Sequence, residues 1–246
     1  MSILAHPDDA EILCAGTLRL LVEEGWALRC LTLSGGDLGA SLGEPGEIRE
    51  RRLAEARAAA GVLGGEFEWA GMNDLAIIYS EDSLRLVTRQ VRAFAPAVVI
   101  THAPECYMED HRETARLATA ACFAAPAPLY EADAKPIPEI PVLYYADAME
   151  GKDRFGEQVA ASFYVNVKST FDIREKALAC HRSQREWLRD HHGMDEYLLA
   201  NRRLAEMHGS RAGLALAEGF RQHLGHAYPQ ENLLAEALQP GIVTHS

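Results

Sequence analysis

Short apolar runs alternate with longer helix-like stretches along most of this chain. Ile3-Leu4 reads as the end of a first strand, and Glu11 to Glu24 as a helix closed by Gly25. Ala27 to Leu33 is a strand that runs into the glycine-rich turn Ser34-Gly35-Gly36-Asp37. Glu47 to Leu63 is strongly helical and charged, and Gly64-Gly65 ends it. Phe67 to Trp69 is a short strand, and Ser83 to Phe94 is an amphipathic helix. Ala97 to Thr101 is the most apolar strand, and Arg112 to Phe123 is again helical. Val142 to Ala146 and Phe163 to Val167 read as later strands, Ile173 to Arg189 as a long helix, and Leu198 to Leu216 as containing another.

This alternation predicts an α/β fold: a mainly parallel sheet with helices on both faces. Ligand sites in such sheets lie beyond the carboxyl ends of the strands. No clear linker, repeat or low-complexity segment divides the chain, so residues 1–246 read as a single domain, helical from about residue 190. The stretch from Ala124 to Pro141 breaks the pattern with Pro126, Pro128, Pro136, Pro138 and Pro141. It reads as an extended loop, either a plain connector or a rim or lid over the site. The tail after Tyr228 predicts no element and reads as mobile.

Composition narrows the function. Of 246 residues, 48% are apolar, enough for a sizeable core, and the net charge is −12. That balance argues against nucleic acid or an anionic membrane as the main partner, since both select a basic face. There is no run of 18 apolar residues, so no membrane span is expected. Met1 leads almost directly into polar chemistry, with no secretory pattern, and a cytoplasmic protein is expected. The five cysteines, Cys14, Cys30, Cys106, Cys122 and Cys180, are scattered without a CxxC pair and read as free thiols.

Two strand ends carry candidate chemistry. After the first comes Ala5-His6-Pro7-Asp8-Asp9-Ala10-Glu11, an imidazole and two adjacent carboxylates on one turn. His6 and Asp9 can face one point as metal ligands, with Asp8 beside the metal as a base. Metal-assisted hydrolysis uses that combination. The plainer reading is an aspartate-rich helix cap. After the most apolar strand comes His102-Ala103-Pro104-Glu105-Cys106-Tyr107-Met108-Glu109-Asp110-His111. His111, at the start of the next helix, completes a His-Asp-His set: three protein ligands and an open position, the pattern of a catalytic zinc. Pure N/O ligation also admits Fe²⁺, Mn²⁺ or Co²⁺.

His6-Pro7-Asp8-Asp9-Ala10-Glu11, then Arg52-Leu53-Ala54-Glu55-Ala56 leading to Leu63-Gly64, then Asp110-His111-Arg112 occur in that order. Together they resemble the PIG-L (LmbE-like) family of zinc-dependent N-deacetylases, which includes the deacetylases of mycothiol and bacillithiol biosynthesis. The resemblance covers most of residues 1 to about 190. It implies a Rossmann-like domain, a zinc on His6, Asp9 and His111, Asp8 as general base, and a homo-oligomer, trimer or hexamer. It implies a substrate contact for Arg52, and a place near the site for Asp74 in a glycine-and-aspartate loop. The implied reaction is removal of an N-acyl group, N-acetyl above all, from an amino-sugar-containing small molecule.

The chain departs from the family pattern in two places. Met108 stands where the family commonly keeps a histidine that stabilises the oxyanion. His102 is the first candidate to replace it, with Tyr107 and His191 or His192 behind it. Relatives also carry more apolar residues before the HPDD element, so the first strand is shortened or starts upstream. The alternatives are an amidase acting on a larger conjugate and a non-catalytic metal- or sugar-binding relative. A nucleotide-binding protein is disfavoured, because no GxGxxG follows a strand.

Overall fold

The structure is a computed structural model that describes residues 1–40, 42–185 and 196–244. One sheet of eight strands runs through it in the order β3-β2-β1-β4-β5-β7-β6-β8. The strands are β1 (Ser2–Leu4), β2 (Arg29–Ser34), β3 (Glu66–Met72), β4 (Val98–Thr101), β5 (Val142–Ala146), β6 (Phe163–Asn166), β7 (Ala217–Gln222) and β8 (Ile242–Thr244). From β3 to β5 every pairing is parallel; β5–β7, β7–β6 and β6–β8 are antiparallel.

The central strands are buried because both faces are covered, and successive residues feed opposite cores. Leu4, Ile100 and Tyr144 pack on one side with Leu13, Leu18 and Leu63. Ile3, Val99 and Leu143 pack on the other with Val87, Val91 and Leu117. The first face is covered by α1 (Asp9–Leu13), α2 (Ala15–Glu23), α3 (Pro45–Leu63) and α6 (Phe171–Leu178), the second by α4 (Glu81–Phe94) and α5 (Glu109–Ala124). Two further helices are α7 (Glu196–Ala212) and α8 (Leu233–Leu238). Local chemistry sets the helix ends. Pro45 opens α3, left-handed Gly64 (φ 88°) closes it, and the Ser80 hydroxyl caps α4 through Ser83 N–H at 3.1 Å.

The strand order reverses between β1 and β4, which are neighbours with Ile3 opposite Thr101. That is the topological switch point, where loops leaving adjacent strands part and open a crevice. The His6 loop and the His102–His111 loop flank it.

Three expectations change. The proline-rich stretch from Ala124 to Pro141 is no lid over the crevice. It leads into the amino end of β5, opposite the crevice, where Val142 N–H bonds Ala97 carbonyl at 2.9 Å. The buried Arg92 guanidinium staples it by donating to the carbonyls of Ala124, Ala125, Ala127, Tyr130 and Ala134. The tail after Tyr228 is ordered through Thr244. Asn232 caps α8, accepts from the Tyr144 hydroxyl at 2.9 Å, and β8 pairs with β6. The strand β7 falls in a stretch that the pattern gave no strand, because its buried Glu218 breaks the apolar run. That carboxylate accepts from Gly16 N–H and Thr17 N–H at 2.8 Å and from Arg174 at 2.9 Å, which ties β7 to the start of α2. Among the described residues no helix is long and apolar enough to cross a membrane.

Candidate metal centre

The turn after β1 puts Asp8 in a left-handed backbone conformation (φ 99°) at the start of α1, where its side chain makes no capping bond. The capping explanation of this acidic pair therefore fails for Asp8. Asp9, one residue on, is buried and turns the other way, with Oδ2 accepting from His6 N–H at 2.7 Å. Non-glycine residues rarely hold a positive φ, and such strain concentrates at functional sites.

The two loops converge. One ligand atom from each of His6, Asp9 and His111 lies within 4.8 Å of the others. Each imidazole turns one nitrogen to Asp9 and has the other engaged. His6 Nδ1 is 3.3 Å from Asp9 Oδ2, while Nε2 faces Asp110 at 3.1 Å and Asp74 at 3.3 Å. His111 Nε2 is 3.4 Å from Asp9 Oδ1, while Nδ1 meets Cys106 Sγ at 3.2 Å. His111 Nε2 is buried without a hydrogen-bond partner among the described residues. An orphaned imidazole nitrogen beside a carboxylate suits a cation, and outer partners of this kind fix the tautomer of metal-binding histidines.

The electrostatics agree. Burial pulls His6 down, but Asp110, Asp74 and Asp9 outweigh it and raise the ring to about 12. Burial likewise lowers His111, and Asp9 and Cys106 bring it up to about 9. Burial raises Asp9, but His111 and His102 overcome this and hold it well below the usual carboxylate range. The pocket is short of positive charge, which a divalent ion would supply. His6, Asp74 and Asp110 also lie close enough to form a second group. There the carboxylates are already spent on backbone: Asp74 accepts from Leu38 and Leu75 N–H, and Asp110 from Leu75 and Ile77 N–H. They orient His6.

Residues 1–122 match the model of the family described as PIG-L: GlcNAc-PI de-N-acetylase. Residues 1–122 carry a PIG-L family domain. It is 25% identical over 234 residues to the diacetylchitobiose deacetylase of Thermococcus kodakarensis, covering 90% of this chain and 81% of that one. It is 26% identical over 190 residues to the 4-oxalmesaconate hydratase of Pseudomonas putida, covering 74% and 72%. The crystal structure of GalB, the 4-carboxy-2-hydroxymuconate hydratase from Pseudomonas putida, shares the fold, with a TM-score of 0.77, 22% identity and coverage of 94% and 98%.

In this PIG-L domain Asp8 stands beside the three-residue set without joining it. Its Oδ2 accepts from the Tyr197 hydroxyl at 2.7 Å and lies 3.5 Å from Arg52. Burial pushes its carboxyl up, with Arg52 pulling the other way. Adjacent carboxylates driven apart in pKa are the mark of divided acid–base roles. Arg52 is buried, donating to Gly36 carbonyl at 2.6 Å and Pro7 carbonyl at 3.0 Å. A Cβ at Gly36, whose φ is 65°, would sit 2.7 Å from the guanidinium carbon, so the glycine turn after β2 exists to admit it.

His102 lies beneath Asp9, stacked on His111 at 3.9 Å and 1% exposed. Its Nε2 accepts from Ala5 N–H at 2.9 Å, and burial followed by the His111 charge lowers it to about 4. A neutral ring with that nitrogen taken does not reach out to a substrate oxygen. Tyr107 is the residue of this loop that opens outward: it is 56% exposed, with its ring 6.4 Å from His111. Arg112 holds the loop through the carbonyls of Cys106 and Tyr107. His191 and His192 lie outside the described residues. Sequence reasoning gave no role to Asp110, Cys106 or Tyr197. The first two adjoin assigned residues; Tyr197 closes the run His191-His192-Gly193-Met194-Asp195-Glu196-Tyr197, which offered a candidate histidine but gave the tyrosine no role.

Proposed function

We propose that this chain is a metal-dependent hydrolase that removes an N-acetyl group from an amino-sugar-containing small molecule. The observation that carries the reading is Asp8: a buried carboxylate next to a His6-Asp9-His111 set, with its own partners and a raised pKa. The deacetylase relatives support the reaction type. Zinc is the metal we assign, and Fe²⁺ also suits this donor set. When bound by His6, Asp9 and His111, the ion supplies Lewis-acid chemistry that activates water and polarises an acyl oxygen.

The rest falls to the chain's own side chains. Asp8 takes the proton from the attacking water and returns it to the departing amine. Asp110 and Asp74 fix His6 by accepting from Nε2, and Cys106 does the same for His111. Tyr107, at the mouth, takes the oxyanion-side role that Met108 cannot fill, in place of His102, which is buried against His111. Arg52 braces Asp8 and the Gly36 turn in place of a direct substrate contact. The free thiols suit a cytoplasmic enzyme.

A second reading is addition of water to a carbon–carbon double bond. Met108 favours it, since that chemistry forms no tetrahedral oxyanion at an acyl carbon, and hydratases stand among the relatives. A panel of N-acetylated amino sugars separates the two. Metal-loaded protein that releases acetate and free amine supports deacetylation. Protein inert on the whole panel that hydrates an unsaturated polycarboxylate supports the second reading.

A further inference from the structure

Asp8 is held from the far end of the chain. Tyr197 is the second residue of α7, 7% exposed, and its hydroxyl crosses to Asp8 Oδ2 at 2.7 Å over a separation of 189 residues. Arg52 approaches the same oxygen at 3.5 Å, so among the described residues both donors to this carboxylate use Oδ2. The backbone of Asp8 is already in the left-handed region, on a turn whose Pro7 carbonyl Arg52 also holds at 3.0 Å. One oxygen is thereby pinned, and the other is left to meet a water.

We propose that Tyr197 is a positioning residue: its hydroxyl fixes the rotamer of Asp8 so that Oδ1 is presented to the attacking water. The inference rests on the reading of Asp8 as the base, and it holds for hydrolysis and for hydration alike, since both need a water deprotonated at one place. A base held in a near-attack geometry loses orders of magnitude in rate when it drifts by about 1 Å. A phenol is suited to the task. It is rigid and it donates one hydrogen bond.

The test is a double-mutant cycle of Tyr197→Phe and Asp8→Asn, read by turnover, KM and metal content. Tyr197→Phe keeps the ring, so packing is preserved. It is expected to lower kcat by roughly 10–100-fold, with KM within about twofold and metal content unchanged, the pattern of an interaction felt at the transition state. In the Asp8→Asn background the same change is expected to alter kcat less than about twofold, because Tyr197 then has no base to position. Full activity of Tyr197→Phe, or an equal loss in both backgrounds, overturns the proposal. Crystal structures of the wild type and Tyr197→Phe give a readout that does not need turnover. An Asp8 carboxylate that keeps its position without the hydroxyl overturns the proposal, and one that rotates supports it. A wild type that turns over neither class of compound would sink the reading of the reaction, and the two structures would still decide the role of Tyr197.

Discussion

Replacing Asp110 with Asn tests whether the first histidine is prepared for a cation by its outer partner. Asp110 Oδ2 accepts from His6 Nε2 at 3.1 Å and Leu75 N–H at 2.9 Å, and Oδ1 accepts from Ile77 N–H at 3.3 Å. An amide of the same shape has one accepting oxygen, so its NH₂ must face one of these donors. Two consequences follow. His6 loses the carboxylate that fixes its tautomer and raises its basicity, which weakens metal binding about 10–100-fold, or ~1.4–2.7 kcal/mol. A buried donor left unpaired costs a further ~1–3 kcal/mol of stability, a fall in Tm of roughly 2–12 °C for a domain of this size. Competition against a chromophoric chelator gives the metal Kd, and calorimetry gives Tm. Asp74→Asn is expected to weaken the metal less, because Asp74 stands farther from Nε2, at 3.3 Å, and Asp110 remains. A Kd for Asp110→Asn within about twofold of wild type would refute the reasoning, as would a larger effect at Asp74.

Three further outcomes are expected. His111→Ala removes one of three ligands and should lose most of the bound metal, measured by elemental analysis; full retention would mean that the ion is held elsewhere. Glu218→Ala leaves Arg174 buried without its carboxylate and two N–H groups of α2 uncapped, costing ~3–5 kcal/mol and roughly 6–20 °C in Tm; a shift below ~2 °C would contradict that network. Arg52→Gln removes the cation that favours ionised Asp8, so the carboxyl should protonate at a higher pH. Activity is lost as pH falls through that pKa, so the acid limb of the kcat/KM profile should move up; a downward shift would contradict the assigned contact.

The parallel half of the fold is written in local pattern. Val98 to Thr101 reads as a strand because four consecutive residues are buried between two helix layers. Gly64 marks the end of α3 because a residue without a side chain takes the left-handed dihedral that closes a helix. The antiparallel half is less legible, because its strands are defined by distant partners. Glu218 enters β7 only because α2 and Arg174, far away in sequence, satisfy its charge. The convergence of His6, Asp9 and His111 could be anticipated because both clusters directly follow strands that prove to be neighbours. The orientation of His102 could not, since it depends on the single N–H of Ala5, just past the end of the neighbouring strand β1. Tyr197 was equally hidden: nothing around it in the sequence points to a carboxylate 189 residues away.

The most direct test of the account compares wild type with Asp8→Asn, each loaded with one equivalent of Zn²⁺, for metal content and for acetate and free amine released from N-acetylated amino sugars. The account predicts that Asp8→Asn keeps its metal and its fold while turnover falls by roughly 10²–10⁴-fold, the usual worth of a general base. An Asp8→Asn protein that loses its metal would make Asp8 a ligand, and one that keeps full turnover would place the base elsewhere; either result contradicts the account.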